Sequence, residues 1–259
     1  MVKLSVLALA AAASAASATV LFDSNFASFS NGNLVGQGGW IQGNGASATL
    51  PLQVASGRVL VPGGQTADNQ DAVRGFTSVA VTGQSVVFAA TFTINSAPTS
   101  NSSYLFAMLD NSSPTAFANA RVAFKDAGGG TYNLGIRTTG QGANPFQFGG
   151  ALNYGQEYTF IMQWDYLAGA DTLTAYINPT SSIPGSAYVA ATNNTADPGG
   201  FTGAVISQFG SGTTQNVDAS IGHILVADSF ADAYANIPAP TSAGVLALAG
   251  LAAARRRRA

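Results

Sequence analysis

From Gly155 to Pro179 the chain reads GQEYTFIMQWDYLAGADTLTAYINP, and polar and apolar positions alternate along both halves of the stretch. Tyr158, Phe160, Met162 and Trp164 interleave with Glu157, Thr159, Gln163 and Asp165. Leu173, Ala175 and Ile177 interleave with Thr172, Thr174 and Tyr176. A period of two is the mark of a strand with one buried face. Gly169 and Asp171 in the intervening segment tolerate turn geometry, so residues 157–178 are predicted to form a long antiparallel hairpin with its aromatic row in the core.

The same test places strands at residues 19–22, 40–41, 58–61, 72–76, 85–95, 104–109, 121–125, 132–138, 205–209 and 220–226. In residues 85–95, Val86, Phe88, Ala90, Phe92 and Ile94 share one face, whereas residues 104–109 are apolar on both faces and read as a central strand. Asp126 to Gly130 (DAGGG) is a glycine-rich turn between two arms of a second hairpin. Residues 146–148 form an edge segment, and residues 183–200 a polar loop of the kind that lies over a sheet face. No stretch before Thr241 sustains a 3.6-residue period, and no internal repeat is found, which disfavours βαβ folds, propellers and solenoids. The expected fold class is all-β, a two-sheet antiparallel jelly-roll sandwich over residues 19–236.

Composition sharpens this picture. Charged residues make up 8% of the 259-residue chain, against a usual ~25%. Residues 19–237 carry five cations (Arg58, Arg74, Arg121, Lys125 and Arg137) and twelve acids, a net of −7. Nucleic-acid binding needs a basic face to replace phosphate counterions, and is excluded as a partner class. The absence of cysteine rules out a disulfide framework and thiolate metal sites.

The two ends have a different character. Residues 1–18 combine Lys3, an apolar run from Leu4 to Ala13, and Ala16-Ser17-Ala18 as an A-x-A cleavage site, the pattern of a secretory signal peptide removed by signal peptidase. Residues 237–259 hold Pro238-Ala239-Pro240, an apolar helix-prone segment at 241–254, and the cluster Arg255, Arg256, Arg257 and Arg258. As a helix that segment spans about 21 Å at ~1.5 Å per residue, short of the ~30 Å hydrocarbon core, and the arginines stay on the cytoplasmic side. This succession resembles the PEP-CTERM sorting signal of bacteria, with Ala239 in place of the usual glutamate. The resemblance implies an exosortase-like partner, transient membrane insertion of the tail and delivery to the envelope, outer surface or extracellular matrix.

FDSNFASFSNGNLVGQGGW near the start, the hairpin stretch and ASIGHILVADSFADA before the tail resemble the concanavalin A-like, laminin-G-type jelly rolls. The resemblance implies the fold; that superfamily holds lectins, glucanases, lyases and structural modules alike.

Candidate chemistry is sparse. A glycosidase needs two carboxyl groups flanking the bond, yet the chain has one glutamate, Glu157, and nothing matches the Glu-x-Asp-x-x-Glu strand of jelly-roll glucanases. Asp165 and Asp171 bracket a turn, where acids need no catalytic explanation. His223 is the sole histidine and alternates with Ile221 and Leu225, as a half-buried strand residue would. Calcium is the cofactor that oxygen-rich loops suit, with Asp68, Asn69 and Asp71 as candidate ligands and Asp110 with Asn111 as a second cluster. Trp40, Phe146, Phe148 and Tyr166, in glycine-rich loops, are candidate platforms for stacking on sugars, each equally able to cap the core. The expected function is a non-catalytic, exported surface or matrix module; the alternatives are a lectin-like binder of exopolysaccharide and a divergent glycan-active enzyme.

Overall fold

The computed structural model describes residues 19–43, 50–63, 70–79, 82–99, 104–110, 119–138, 145–193, 200–208 and 217–239. The expected signal peptide, the apolar segment 241–254 and the arginine cluster lie outside them. Among the described residues the strands are, in chain order, β1 (Val20–Asn25), β2 (Gly32–Asn33), β3 (Trp40–Gln42), β4 (Gln53–Ala55), β5 (Arg58–Val61), β6 (Ala72–Val79), β7 (Ser85–Ser96) and β8 (Tyr104–Asp110). There follow β9 (Arg121–Gly128), β10 (Thr131–Arg137), β11 (Gln147–Asn153), β12 (Glu157–Asp165), β13 (Thr172–Ile177), β14 (Val189–Thr192), β15 (Phe201–Ile206) and β16 (Asp218–Ala227). One helix, α1 (Phe230–Asn236), closes the domain.

The strands form two antiparallel sheets. A nine-stranded sheet runs β14-β13-β12-β7-β16-β5-β4-β2, with β1 also on β16, and a seven-stranded sheet runs β11-β10-β9-β8-β15-β6-β3. The predicted hairpin is β12–β13, in a register that sets Trp164 opposite Leu173 and Phe160 opposite Ile177. On its other side β12 pairs with β7, Met162 facing Phe88. The aromatic row is core as predicted: Phe160, Met162 and Trp164 are fully buried, with Phe88, Phe92, Phe106 and Phe124 between the sheets. Burying each of these large side chains contributes roughly 1.5–3 kcal/mol, and the aromatic pairing within the layer adds to it.

The glycine-rich turn also forms. Gly128, Gly129 and Gly130 all adopt positive φ (79°, 61° and 81°), a conformation other residues reach only with strain. The interior of residues 183–200, read as loop, contributes the short strand β14 beside β13. The α1 helix was not legible as a 3.6-residue period because it is under two turns long. Its signals are nonetheless present: Ser229 caps it by accepting from the Asp232 N–H at 3.2 Å, and Phe230, Ala233, Tyr234 and Ile237 fall at i, i+3, i+4 and i+7. That stripe packs on Val87, Ala89, Ile161, Leu225 and Ala227, on the outer face of the nine-stranded sheet.

Ile237 is buried with α1, and the Thr159 hydroxyl donates to the Pro238 carbonyl at 2.9 Å. The folded domain therefore continues through Pro238 instead of ending at residue 236. No helix among the described residues is long and apolar enough to cross a membrane.

Packing around the tyrosines gives the fold an alkaline limit. Burial pushes the phenols of Tyr132, Tyr154, Tyr176 and Tyr188 upward. Tyr154 is raised to about 12, by burial first and then by the hydrogen bond it donates to Asp126. A raised folded-state pKa contributes stability that is complete below the unfolded value of 10.0 and is lost as pH climbs above it. A pH titration should show tyrosinate absorbance and loss of tertiary circular dichroism developing together above that point. Full tyrosine ionisation by pH 11 with the fold intact would contradict the burial assigned to these rings.

Candidate functional site

On the outer face of the seven-stranded sheet, the β9–β10 hairpin sets Arg137 directly opposite Arg121. Both side chains point away from the core by alternation with Val122, Phe124, Leu134 and Ile136, all fully buried. Lys125 shares the face by the same alternation, which brings three of the domain's five cations onto two neighbouring strands. Arg121 lies over the ring of Tyr104 in β8, 4.6 Å from its centroid, and Arg137 lies over Phe146 at 4.7 Å. Phe146 and Phe148 are 6.0 Å apart. Phe148 rests on Gly135, where a Cβ would come within 2.6 Å of its ring.

The site has a buried floor and a half-buried rim. Arg121 is 8% exposed and Tyr104 3%, and Ala107, Ala123, Val205 and Val73 continue the floor as an apolar patch. Arg137, Phe146 and Phe148 form the rim on the β10–β11 side. At the opposite side of the floor Asp71, fully buried, accepts from the Gln208 backbone N–H at 2.9 Å. The Gln208 side chain is also fully buried, and neither of its amide atoms has a hydrogen-bond partner among the described residues.

Burial pushes the Arg121 guanidinium down from its usual range; Arg137 adds to this, while Tyr104 and Asp71 pull it back up. Burial likewise lowers Arg137, against an upward pull from Tyr104. Two like charges directly across a ladder destabilise it, so the arrangement carries a local cost. Aromatic faces attract the two cations. Chemically this surface can stack an apolar ring face and take a negative group beside it.

Of the aromatic residues singled out from the sequence, Phe146 and Phe148 belong to this face. Trp40 and Tyr166 do not: Trp40 is 1% exposed with its indole N–H on Ser24 Oγ at 3.1 Å, and Tyr166 is 4% exposed against Trp164 and Phe201. Both cap the core and have no face for a sugar. Asp71, a candidate calcium ligand, is fully buried, accepts from the Gln208 backbone N–H through Oδ1 and lies in the field of Arg121. Asp68, Asn69 and Asn111 lie outside the described residues, and Asp110 accepts from Asn119 at 3.5 Å. Among the described residues no three metal-ligating side chains converge.

The carboxylates near the hairpin are committed elsewhere. Glu157 pairs with Arg58 at 2.5 Å on the outer face of the nine-stranded sheet, across the sandwich from Arg121. Asp171, fully buried, accepts from the Trp164 indole N–H at 2.8 Å and the Leu167 N–H at 2.9 Å, pinning the turn. Asp165 accepts from Ser85 and Gln163 at 2.6 Å each. His223 departs from its expected alternation. The register of β16 on β7 shifts between Ile221 and His223, so Ile221 enters the core while His223 faces outward and meets Asp23 at 2.5 Å.

Arg121, Arg137 and Tyr104 were not singled out from the sequence. One signal was available: the two arginines stand eight residues either side of Gly129, so a hairpin centred there pairs them.

No family model matches the sequence, nor does any curated protein. Solved structures do match. An endo-1,3-beta-glucanase from Streptomyces sioyaensis superposes with a TM-score of 0.52 at 12% identity, covering 82% of this chain and 96% of its own. The fold is a jelly-roll sandwich. The CBM2 module of the evolved Dit protein of Lactobacillus casei BL23 phage J-1 gives 0.51 at 8% identity over 82% and 96% of the two chains. A sialidase gives 0.51 at 10% identity, over 81% of this chain and 18% of its own. At these identities the likeness is one of architecture.

Proposed function

We propose that this chain is an exported, non-catalytic glycan-binding module that works at a bacterial surface or in its matrix. The observation that carries the reading is the outer face of the seven-stranded sheet, where Phe146, Phe148, Arg137, Arg121 and Tyr104 assemble around an apolar floor. The jelly-roll neighbours named for a glucanase, a CBM2 module and a sialidase accord with a carbohydrate ligand. The non-catalytic part rests on the carboxylates: the only glutamate is tied to Arg58 on the other side of the sandwich, and Asp171 is a buried turn anchor. Among the described residues the cation-bearing face offers no acid and nucleophile pair for hydrolysis. A panel of soluble polysaccharides tests binding by affinity electrophoresis of the purified protein, with reducing-sugar release followed in parallel. Retardation without turnover is expected; retardation by no polymer sinks the glycan reading, and Glu157-dependent turnover sinks the non-catalytic one.

The export reading rests on the sequence patterns at the two ends of the chain. Among the described residues Thr19, which follows the expected cleavage site, is tied to the domain, its backbone N donating to Asp228 at 2.8 Å. At the far end Pro238, the first residue of the sorting-type motif, is docked on the domain through its carbonyl. Deleting residues 239–259, which spares the Ile237 and Pro238 contacts, should shift the protein from the envelope fraction to the medium. Identical fractionation of the deleted and intact forms overturns the sorting role of the tail.

A further inference from the structure

We infer that removal of the leader after Ala18 completes a lock on the first strand: the new Thr19 α-ammonium pairs with the Asp228 carboxylate and fastens β1 to β16. The inference rests on the export reading above, which places the cut at that bond. The Thr19 backbone N donates to Asp228 Oδ1 at 2.8 Å, and the Thr19 carbonyl accepts from the Asp228 backbone N–H at 3.1 Å. Cleavage keeps this bracket and changes its donor. Hydrolysis of the Ala18–Thr19 peptide consumes one water, gives Ala18 a carboxylate and gives Thr19 an amine that is protonated at neutral pH. A hydrogen bond from a neutral amide thereby becomes an ion pair, with Coulomb attraction between opposite charges in contact. Thr19 is exposed and Asp228 half-buried, where such a pair adds little to global stability. Its position in the fold decides what it does.

That position is the weak end of β1. Among the described residues β1 is hydrogen-bonded to β16 alone, and the register of the two strands shifts between Val20 and Phe22. A terminal segment beyond such an irregularity frays unless something ties it down. The side chains that β1 carries belong to the core. Phe22 is buried, its ring 6.2 Å from Trp40 and 5.9 Å from Phe76, and Ser24 accepts the Trp40 indole N–H at 3.1 Å. Asp23 meets His223 at 2.5 Å and holds the far half of the strand. The Thr19–Asp228 bracket therefore governs the opening of the near half, where the ladder is interrupted. While the leader is attached, the bracket works through hydrogen bonds only. Processing and closure of the first strand thus become one event, and a chain that keeps its leader keeps a looser β1.

The test uses the protein exported with its own leader, whose first residue is read by mass spectrometry of the intact chain. It is compared with a form carrying Gly-Ser inserted between Ala18 and Thr19, in which cleavage leaves the ammonium two residues ahead of Thr19. Each form is made with and without Asp228→Asn, and hydrogen exchange of peptides covering residues 19–25 reads the opening of β1. Asp228→Asn is expected to speed that exchange roughly threefold in the parent at low salt, the size of an exposed ion pair, and to have less than half that effect in the Gly-Ser form. The difference should shrink in about 1 M salt. A purely structural role for the Asp228 side chain, such as support of the adjoining α1 cap, speeds exchange equally in both forms and overturns the lock. A first residue other than Thr19 overturns the cleavage reading and the lock together, whereas a Thr19 start with no effect of Asp228→Asn overturns the lock alone. Should Asp228→Asn not be recovered, the two parent forms carry the test: faster exchange in the Gly-Ser form supports the lock, and equal exchange overturns it.

Discussion

Asp171→Ala is expected to destabilise the protein by about 3 kcal/mol, the cost of leaving buried donors without an acceptor. The Asp171 carboxylate is fully buried and accepts from the Trp164 indole N–H and from the Leu167 backbone N–H, so both donors lose their partner in one step. Trp164 sits in the core against Phe201 and Tyr166 and cannot turn its N–H to water. The melting temperature should fall by roughly 10 °C for a domain of this size. Asp171→Asn keeps an acceptor for only one of the two donors and should fall in between. Asp165→Asn makes the contrast, because its partners are a hydroxyl and an amide at a partly exposed position, both able to turn to water. If Asp171→Ala melts like Asp165→Asn, the turn is held by something other than this carboxylate.

Phe230→Ala should have a comparable effect, about 3–4 kcal/mol by the usual cost of removing a buried aromatic ring, read first as undocking of α1. Phe230 packs edge-on to Tyr176, with ring centroids 5.0 Å apart, and covers Val87, Ala89, Ile161 and Leu225 on the back of the nine-stranded sheet. A seven-residue helix has no stability of its own and persists only through that contact. Its loss frees Ile237 and the Pro238 carbonyl, so protease cleavage should appear around residues 230–239 before the sandwich melts. Cleavage at parental rates in Phe230→Ala would show that the helix is held by other means. The same contact spaces the tail from the domain, and the export experiment therefore deletes from residue 239 onward.

The hairpin of β12 and β13 was readable from the chain alone because its core-facing Tyr158, Phe160, Met162 and Trp164, then Leu173 and Ala175, recur at a period of two, even though Ile161 is buried on the other face under α1. The same holds for β7, whose alternating aromatic and aliphatic residues are all core, and for the glycine turn of the β9–β10 hairpin, where three consecutive positive φ angles leave few alternatives. The short strands β2, β4 and β14 left no such trace: two to four residues are too few to show a period, and their pairing is decided by the strands beside them.

Site residues divide differently. Aromatics in glycine-rich loops look alike in sequence, whether they end in the core, as Trp40 and Tyr166 do, or on a rim, as Phe146 and Phe148 do. Burial is a property of which segments fold over which, and the chain carries no local record of it. His223 shows the limit most clearly: one shifted register between Ile221 and His223 separates it from Ile221, which enters the core, while it keeps the face it shares with Leu225.

By itself the sequence determined the class of fold, the core rows of the long strands, the acidic and cysteine-free character of the domain, and the scarcity of catalytic carboxylates, because each is set by local periodicity or by counting. Only the tertiary structure decided that Glu157 faces Arg58 on one side of the sandwich while Arg121, Arg137, Tyr104 and Phe146 meet on the other. Those meetings join strands that are far apart in the chain, and they depend on inter-strand register and on which sheet each strand enters.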